Sequence, residues 1–268
     1  MILVIDVGNT NTVIGLFQGQ ELIHKFRIST VHHATADEYG ILLAQLLERS
    51  HVNQEAITGA ILASVVPQLN QVWSLACRSY FSLDLIVVGP GIKTGMPILT
   101  DNPAEVGADR IVNAVAAWER FKCPLIVVDF GTATTFDAVD SKGRYLGGAI
   151  AAGVEVSMGA LFNRAAKLPR VEMVEPSKVI GKNTVHALQS GLFFGYVGHV
   201  DELVTRMRAE LGGEVKVIST GGLASVFAES SKTIEHVDEF LTLTGLRNLY
   251  EMNESSEGTA GKRGDRAV

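Results

Sequence analysis

Two short segments far apart in this chain follow the same pattern. IDVGNTNTV at 5–13 and VDFGTATTF at 128–136 each place an aspartate at the end of an apolar run, continue with glycine and short polar residues, and then return to apolar residues. The two segments begin 123 residues apart (128 − 5). A repeat with this period indicates two similar domains and not a solenoid, whose repeats are roughly 20–50 residues long. The sequence therefore predicts a fold built by duplication.

Apolar residues around the two segments predict alternating strands and helices. The β-branched runs on both sides of each aspartate predict two strands joined by a tight turn. Helices are predicted where apolar residues have helical spacing, at 36–50, 67–81, 104–121 and 184–211. The sequence therefore predicts an α/β protein.

The predicted elements divide the 268 residues into two domains and a tail. The first domain is predicted at 1–117 and the second at 118–252, and each contains one copy of the aspartate–glycine segment. Residues 253–268 are polar and glycine-rich, which is typical of a disordered terminus.

Composition narrows the range of partners and compartments. The formal net charge of −6 argues against a general nucleic-acid binder, because such proteins normally carry a basic excess. Cys77 and Cys123 form no C-x-x-C motif, so we expect both thiols to be reduced and structural. No cationic leader and no apolar run of about 20 residues is visible, which predicts a cytoplasmic protein without a membrane span.

The aspartate–glycine segments have the chemistry of phosphate-binding turns. A tight turn between strands exposes backbone N–H groups in a concave row, and a glycine lets an anion approach closely. Asp6 cannot hold phosphate directly because like charges repel, but it can hold Mg²⁺ through water. A single Asp-x-Gly hairpin is very often only a turn. The second copy favours two loops that hold one polyphosphate, and the chain has no Gly-x-x-x-x-Gly-Lys-Ser/Thr loop that would do so instead.

Further residues could belong to the same site. STGGL at 219–223 lies between a predicted strand and a predicted helix, where its glycines could admit a nucleoside; the alternative is an ordinary connection. Asp129 ends a buried strand, where an unpaired carboxylate would be costly and a bound cation would compensate it. Asp137 could be a site residue or structural. Lys93 could approach the substrate or be a solvated loop residue.

Asp109 and Arg110 lie near the start of a predicted helix that follows a loop rich in glycine and proline. Phosphoryl transfer needs alignment, charge stabilisation and sometimes a carboxylate that accepts the hydroxyl proton. Asp109 could be that carboxylate, or only an acidic first-turn residue that favours the helix dipole. Arg110 could bind a substrate carboxylate in a bidentate manner, or form a surface salt bridge.

Several motifs together resemble a known family. DVGNTNT, DFGTATTFD and STGG are similar to the nucleotide-binding elements of the acetate and sugar kinase, actin and heat-shock ATPase superfamily. GIKTGMPI at 91–98, NPAEVGADR at 102–110 and DFGTATTFD at 129–137 more closely resemble type III pantothenate kinase. The resemblance implies two duplicated ribonuclease-H-like domains of the actin type, with ATP in the cleft between them. It also implies phosphorylation of the 4′-hydroxyl of pantothenate, the first step of coenzyme A biosynthesis, by a homodimer that needs Mg²⁺ and K⁺ or NH₄⁺.

The same resemblance implies roles for individual residues. Asp109 matches the general base, Asp129 the ligand of the monovalent cation, and Thr132 an ATP contact. The implied nucleotide-binding residues also include Asp6, Val7, Gly8, Asn9, Thr10, Asn11, Thr12, Val13, Gly221 and Gly222. The implied substrate-binding residues are Thr100, Gly107, Ala108, Asp109, Arg110 and Thr184.

One departure from the family pattern is visible, and two other functions remain open. The family usually reads GGxIxPG after the second phosphate element, whereas this chain reads GGAIAAG with Ala152 in place of proline, which predicts a slightly looser turn. A kinase for another small hydroxy compound is one alternative, although NPAEVGADR has no role in a generic sugar kinase. An ATP-binding regulatory protein of the actin-like superfamily is the other; it would bind ATP without phosphorylating pantothenate.

Overall fold

The chain forms two compact units in the computed structural model, which describes residues 1–165 and 168–260, with 255–260 described by their backbone alone. The first unit contains Met1–Gly95, Asn102–Ala116 and residues 242–260. The second contains Met96–Asp101 and Ala117–Leu241. Each unit is built on one sheet.

The first unit has a mixed five-stranded sheet. Its strands are β1 (Ile2–Val7), β2 (Asn11–Gln18), β3 (Glu21–Ser29), β4 (Gly59–Ser64) and β5 (Leu85–Val87). Their order is β3-β2-β1-β4-β5; β1 pairs antiparallel with β2 and parallel with β4. The helices are α1 (Ala36–Arg49), α2 (Gln68–Phe81), the start of α3 (Ala108–Phe121) and α7 (Leu241–Ala260).

Apolar burial explains how the helices of the first unit are placed. Helices α1 and α2 pack Leu43 and Trp73, both completely buried, against side chains of the sheet such as Leu3 and Ile5. Thr35 fixes the start of α1 with a capping box, in which its side chain and Glu38 each bind the other's backbone N–H group.

The second unit repeats this plan. Its strands are β6 (Leu125–Phe130), β7 (Ala133–Val139), β8 (Tyr145–Ala152), β9 (Lys216–Gly221) and β10 (His236–Val237), and its helices are α4 (Val154–Arg164), α5 (Thr184–Leu211) and α6 (Ala224–Ala228). The core lies where α5 and α6 bury Phe193 and Phe227 against Ile126 and Val128. In the described ranges 1–165 and 168–260, no helix is both long and apolar enough to cross a membrane.

The two sheets have the same topology. The strand order in the second unit is β10-β9-β6-β7-β8; β6 pairs antiparallel with β7 and parallel with β9, as β1 does with β2 and β4. Each sheet therefore runs third, second, first, fourth and fifth strand, as expected of ribonuclease-H-like domains. The predicted duplicated α/β fold is confirmed.

Helix α3 begins at Ala108 and not at 104, where apolar spacing predicted its start. The preceding Pro103–Glu105 forms a separate 3₁₀ turn, and the side chain of Asn102 accepts a hydrogen bond of 3.3 Å from the backbone N–H of Ala104. Val106 has an extended backbone (φ −72°, ψ 125°), which separates the turn from the helix. Asp109 therefore lies in the first turn of α3.

The C-terminal helix differs from the predicted ranges in two ways. Residues from Thr242 group with the first unit, because α7 packs Tyr250 against Gly59 of β4. The helix also continues beyond 252 to Ala260, and the side chain of Asn253 binds both the N–H and the carbonyl of Lys93 at 3.0 Å. The rest of the predicted tail, 261–268, lies outside the described residues.

The segment 96–101 groups with the second unit for a similar reason. It lies beside the edge strand β8, where the N–H of Leu99 donates to the carbonyl of Tyr145 (2.8 Å) and the N–H of Tyr145 donates to the carbonyl of Pro97 (2.9 Å). These backbone bonds hold Thr100 near β8, with its methyl group close to Gly147. No sequence pattern predicts this pairing, since the segment is rich in proline and glycine.

Candidate active site

The first aspartate–glycine segment forms the connection between β1 and β2, and we call residues 8–10 loop 1. Asp6 is half-buried near the end of β1, opposite Val13 of β2. The N–H of Gly8 donates to the carbonyl of Asn11 at 3.0 Å. A Cβ atom on Gly8 would lie 2.9 Å from that carbonyl oxygen, so the tight turn requires glycine.

Hydroxyl groups support loop 1 from the first unit. Thr12 is completely buried, and its Oγ1 lies 2.9 Å from Oγ1 of Thr30. The Thr30 hydroxyl donates to the carbonyl of Gly8 (2.8 Å), and the Thr30 N–H donates to the carbonyl of Thr10 (2.9 Å). Sequence reasoning missed Thr30, because a single threonine just after a strand belongs to no motif.

The second segment forms the connection between β6 and β7, and we call residues 131 and 132 loop 2. The N–H of Gly131 donates to the carbonyl of Ala133 at 3.1 Å. The N–H of Gly153 donates to the carbonyl of Thr132 at 3.1 Å, so the turn after β8 touches the loop. A Cβ atom on Gly153 would lie 2.2 Å from the Thr132 carbonyl oxygen, which excludes any larger residue there without a backbone shift.

Loop 2 is supported by a tyrosine that sequence reasoning also missed. The hydroxyl of Tyr196, on α5, lies 2.5 Å from Oγ1 of the completely buried Thr134 and 3.0 Å from the carbonyl oxygen of Ala152. Burial raises the pKa of Tyr196 above its ordinary value of 10.0, and the hydrogen bond with Thr134 opposes this only in part. The Tyr196 hydroxyl therefore stays protonated at neutral pH. The turn at Ala152 is thus held by hydrogen bonds without the proline that is usual in the family.

Strand register shows which residues of the two loops correspond. Thr12 lies opposite Val7 in the first sheet, and Thr134 lies opposite Phe130 in the second. Loop 2 is therefore one residue shorter than loop 1. Without a gap, the two sequence segments would match Thr12 with Thr135, so only the register identifies Thr12 and Thr134 as equivalent.

The predicted nucleoside turn lies beside loop 2 in the second unit. Strand β9 ends at Gly221, whose φ of +91° is a backbone conformation that favours glycine. A Cβ atom on Gly221 would lie 2.6 Å from Oδ1 of Asp129 and 2.7 Å from the backbone of Phe130. The structure thus brings together Asp129, loop 2 and the start of the Gly221–Gly222 turn.

Asp109 is a mostly buried carboxylate in the first unit. Burial raises the pKa of the Asp109 carboxyl above its ordinary value of 3.8, while the N–H and the charge of Arg110 oppose the shift. Oδ1 accepts a hydrogen bond from the Arg110 N–H at 2.8 Å. A Cβ atom at Gly107 would lie 2.5 Å from the same oxygen, so glycine makes room for the carboxylate before Ala108 starts the helix.

Two further predicted substrate residues lie in the second unit. The Thr100 hydroxyl is buried and has no hydrogen-bond partner among the residues that the structure describes. Thr184 is exposed and begins α5, whose N-cap Asn183 accepts a hydrogen bond of 2.8 Å from the N–H of His186. Thr184 therefore lies at the start of a helix, and Thr100 has a buried hydroxyl without a hydrogen bond among the described residues.

Asp137 has structural partners on both carboxylate oxygens. It is completely buried, and it accepts hydrogen bonds from the hydroxyls of Tyr145 (2.6 Å) and Thr135 (3.1 Å). These hydrogen bonds favour a structural role for Asp137 over a role in the site.

Within residues 1–165 and 168–260, no three histidine, cysteine, aspartate or glutamate side chains cluster as a metal site. A cation bound by the described part of the chain would therefore rely on a single carboxylate, backbone oxygens and water.

The fold places the chain in a structural class. It is similar to the activator of the 2-hydroxyisocaproyl-CoA dehydratase from Clostridium difficile, solved with bound ADPNP (TM-score 0.57, 15% identity, 99% of both chains covered). It is also similar to the inorganic polyphosphate/ATP-glucomannokinase from Arthrobacter sp. strain KM (TM-score 0.50, 14% identity, 95% of this chain and 98% of that chain covered). The class that these likenesses define is one of fold: α/β proteins built from two units, each on a mixed five-stranded sheet.

The family within that class follows from closer relatives. Residues 2–206 match the family model described as type III pantothenate kinase. A type III pantothenate kinase from Myxococcus xanthus is 56% identical over 256 residues, which are 96% of this chain and 100% of that protein. The chain belongs to the type III pantothenate kinase family, and the resemblance carried by its motifs is confirmed.

Proposed function

We propose that this protein transfers the γ-phosphoryl group of ATP to the 4′-hydroxyl of pantothenate, the first step of coenzyme A biosynthesis. The observation that carries this proposal is the family match over nearly the whole chain. The intact loops, the glycine turn and the partly buried Asp109 favour an active kinase over an ATP-binding regulatory relative.

We propose Asp109 as the general base that accepts the proton of the attacking hydroxyl. Its raised pKa supports this role, because a base is most effective when its pKa approaches the working pH. Arg110 follows it directly and offers a planar donor suited to the carboxylate of pantothenate. Gly107 and Ala108 would shape the backbone beside that substrate.

We propose that loops 1 and 2 bind the phosphates of ATP, with Thr132 in contact and the Gly221–Gly222 turn beside the nucleoside. Asp6, half-buried at the end of β1, would hold Mg²⁺ through water. Mg²⁺ would neutralise charge that develops on the transferred phosphoryl group. Glycine at 8, 131 and 221 keeps backbone approach open to an anion.

We propose that Thr100 and Thr184 contact pantothenate. Support for Thr100 comes from its buried hydroxyl, since such a group costs free energy unless it gains a hydrogen bond. A polar group of the bound substrate would supply that bond. Thr184 presents an exposed hydroxyl at the start of α5.

Asp129 is proposed to bind the monovalent cation, and we expect Asp129→Asn to weaken activation by K⁺. Loss of one charged ligand should raise the K⁺ concentration for half-maximal activity roughly tenfold. The measurement is the rate of ADP release as K⁺ is titrated at saturating Mg-ATP and pantothenate. Asp84→Asn is the matched control, since Asp84 is an exposed surface residue that pairs with Arg78. An unchanged K⁺ dependence in the Asp129 variant would place the cation elsewhere.

We propose that the protein is a homodimer. The second unit exposes large apolar side chains, and apolar surface of this kind commonly marks an interface: Leu146, Ile150, Val156, Val174, Val179, Ile180 and Val185. Ile180 is 83% exposed and Val179 66% exposed.

Replacing Ile180 by aspartate is expected to weaken such a dimer. Burying an unpaired charge should raise the dissociation constant by at least about tenfold. Sedimentation equilibrium of the wild type and of the Ile180→Asp variant measures the dissociation constant of the dimer. Leu75→Asp, on α2 of the first unit, is the control. A wild-type monomer at micromolar concentration would contradict the homodimer.

The proposed location is the cytoplasm. Cys77 and Cys123 form no disulfide, which agrees with a reducing compartment. Burial raises the pKa of the Cys77 thiol to about 12, so this thiol is inert and structural.

The reaction itself is tested by ADP release from purified protein with Mg-ATP and pantothenate, in K⁺ and in Na⁺ alone. Pantothenate-dependent release that requires K⁺ would support the substrate, the reaction and the cation together. ATP binding without pantothenate-dependent release in either salt would favour the regulatory alternative or a different hydroxy compound as acceptor.

A further inference from the structure

We infer that Thr30 and Tyr196 are positioning residues for the phosphates of ATP, one for each loop. This inference rests on the proposed binding of ATP phosphates by loops 1 and 2. Neither residue belongs to a motif in the sequence, and neither is expected to touch the nucleotide. Thr30 acts directly on loop 1 through the carbonyl of Gly8, and Tyr196 acts on loop 2 through Ala152, whose neighbour Gly153 binds the carbonyl of Thr132.

A buried threonine hydroxyl beside each loop is bound by a hydroxyl group from another element. In the first unit, the Thr30 hydroxyl contacts the buried Thr12 hydroxyl (2.9 Å) and the carbonyl of Gly8 (2.8 Å). In the second, the Tyr196 hydroxyl contacts the buried Thr134 hydroxyl (2.5 Å) and the carbonyl of Ala152 (3.0 Å). Thr12 and Thr134 are equivalent by strand register, so in each unit a hydroxyl group from another element binds the same threonine position.

Backbone hydrogen bonds also hold a carbonyl group of each loop. In the first unit the N–H of Thr30 donates to the carbonyl of Thr10 at 2.9 Å. In the second unit the N–H of Gly153, which follows the Ala152 that Tyr196 binds, donates to the carbonyl of Thr132 at 3.1 Å. A carbonyl oxygen that turned towards a phosphate would repel it, because the oxygen has a partial negative charge and the phosphate is an anion. Holding these oxygens in hydrogen bonds keeps the loop in a conformation that tolerates an anion.

Loss of the Thr30 or the Tyr196 hydroxyl would remove a hydrogen-bond partner from a buried group. Thr12 and Thr134 are completely buried, so each would be left with an unsatisfied hydroxyl if its partner lost its own. Tyr196 lies on helix α5, and Thr30 directly follows strand β3, so regular secondary structure holds both hydroxyl groups in place. Preorganised loops bind phosphate more tightly because less ordering is needed on binding.

The test uses Thr30→Val and Tyr196→Phe, which remove the hydroxyl groups and keep much of the side-chain shape. We expect the KM for ATP to rise about fivefold to tenfold in each variant, as loss of one net hydrogen bond implies, and the KM for pantothenate to stay within twofold. Thr30→Ser keeps the hydroxyl and should restore the wild-type KM for ATP. Tyr80→Phe is the control for hydroxyl loss alone, since Tyr80 bonds to Asp37 (2.9 Å) away from both loops.

The dissociation constant of ATP, measured by calorimetry without pantothenate, separates this inference from the proposed function. A wild-type protein that binds no ATP would overturn both. A wild-type protein that binds ATP, with variants whose KM and dissociation constant for ATP are unchanged while their melting temperature falls, would overturn the positioning role alone. Equal changes in Thr30→Ser and Thr30→Val would also overturn it, because the hydroxyl would then not be the active feature.

Discussion

Replacing Asp109 by asparagine is expected to lower kcat by about 10²–10⁴-fold, with ATP affinity nearly unchanged. Asparagine has nearly the same shape as aspartate but cannot accept the hydroxyl proton. The measurement is the steady-state rate with pantothenate, together with calorimetric binding of ATP. Asp84→Asn, at an exposed surface site, should retain full activity.

The pKa of Asp109 gives this prediction a pH dependence with a defined sign. Since burial raises the pKa of the folded state, the wild-type rate should fall as the pH drops through that raised value. The same shift means that protonated Asp109 favours folding below its unfolded pKa, and that this contribution is lost as the pH rises through the folded pKa. Asp109→Asn should therefore be at least as stable as the wild type near pH 7.5, with no gain near pH 4.

Two outcomes would contradict the role of Asp109. Full activity in the asparagine variant would remove it as the general base. Loss of activity together with a lower melting temperature and lost ATP binding would show structural damage in place of lost proton transfer.

Replacing Gly221 by alanine is expected to damage both stability and activity. The residue has φ +91°, and an added Cβ would lie 2.6 Å from Oδ1 of Asp129 and 2.7 Å from the backbone of Phe130. Backbone strain and overpacking should together cost about 2–5 kcal/mol of unfolding free energy. Displacing Asp129 and loop 2 by even about 1 Å should lower kcat/KM roughly 100-fold.

The matched control for Gly221→Ala is Gly198→Ala in α5. No heavy atom lies within 4 Å of a Cβ atom built on Gly198, and alanine favours a helix over glycine by about 0.5–1 kcal/mol. Urea unfolding should thus show a stabilised control and a destabilised Gly221 variant. A Gly221 variant as stable and active as the wild type would contradict the close packing of this turn against Asp129.

Local patterns predicted much of the fold because they report burial and turn chemistry directly. The repeated aspartate–glycine segments indicated two similar halves, and apolar spacing located α1 and α2 closely. The predicted start of α3 was wrong because Asn102 caps a separate turn that apolar spacing does not reveal. The pairing of the segment 96–101 with β8 was not predicted, since it depends on a strand far along the chain.

The candidate site shows the same division. Motifs predicted roles for Asp6, Asp109 and Asp129, because carboxylates and glycines in fixed patterns are typical of phosphate-binding and phosphoryl-transfer sites. The supporting hydroxyls of Thr30 and Tyr196 could not be predicted, because their partners lie 18 and 62 positions away in the chain. Contacts between residues so far apart leave no periodic pattern in the sequence from which they could be predicted.

Short-range patterns record burial, turns and charge, and they predicted the duplicated α/β plan, the family and a set of candidate site carboxylates. The equivalence of Thr12 and Thr134 required the folded sheet, because strand register depends on pairing across it. The raised pKa of Asp109 required the fold as well, because that shift comes from burial. Strand pairing and desolvation both depend on which distant parts of the chain meet.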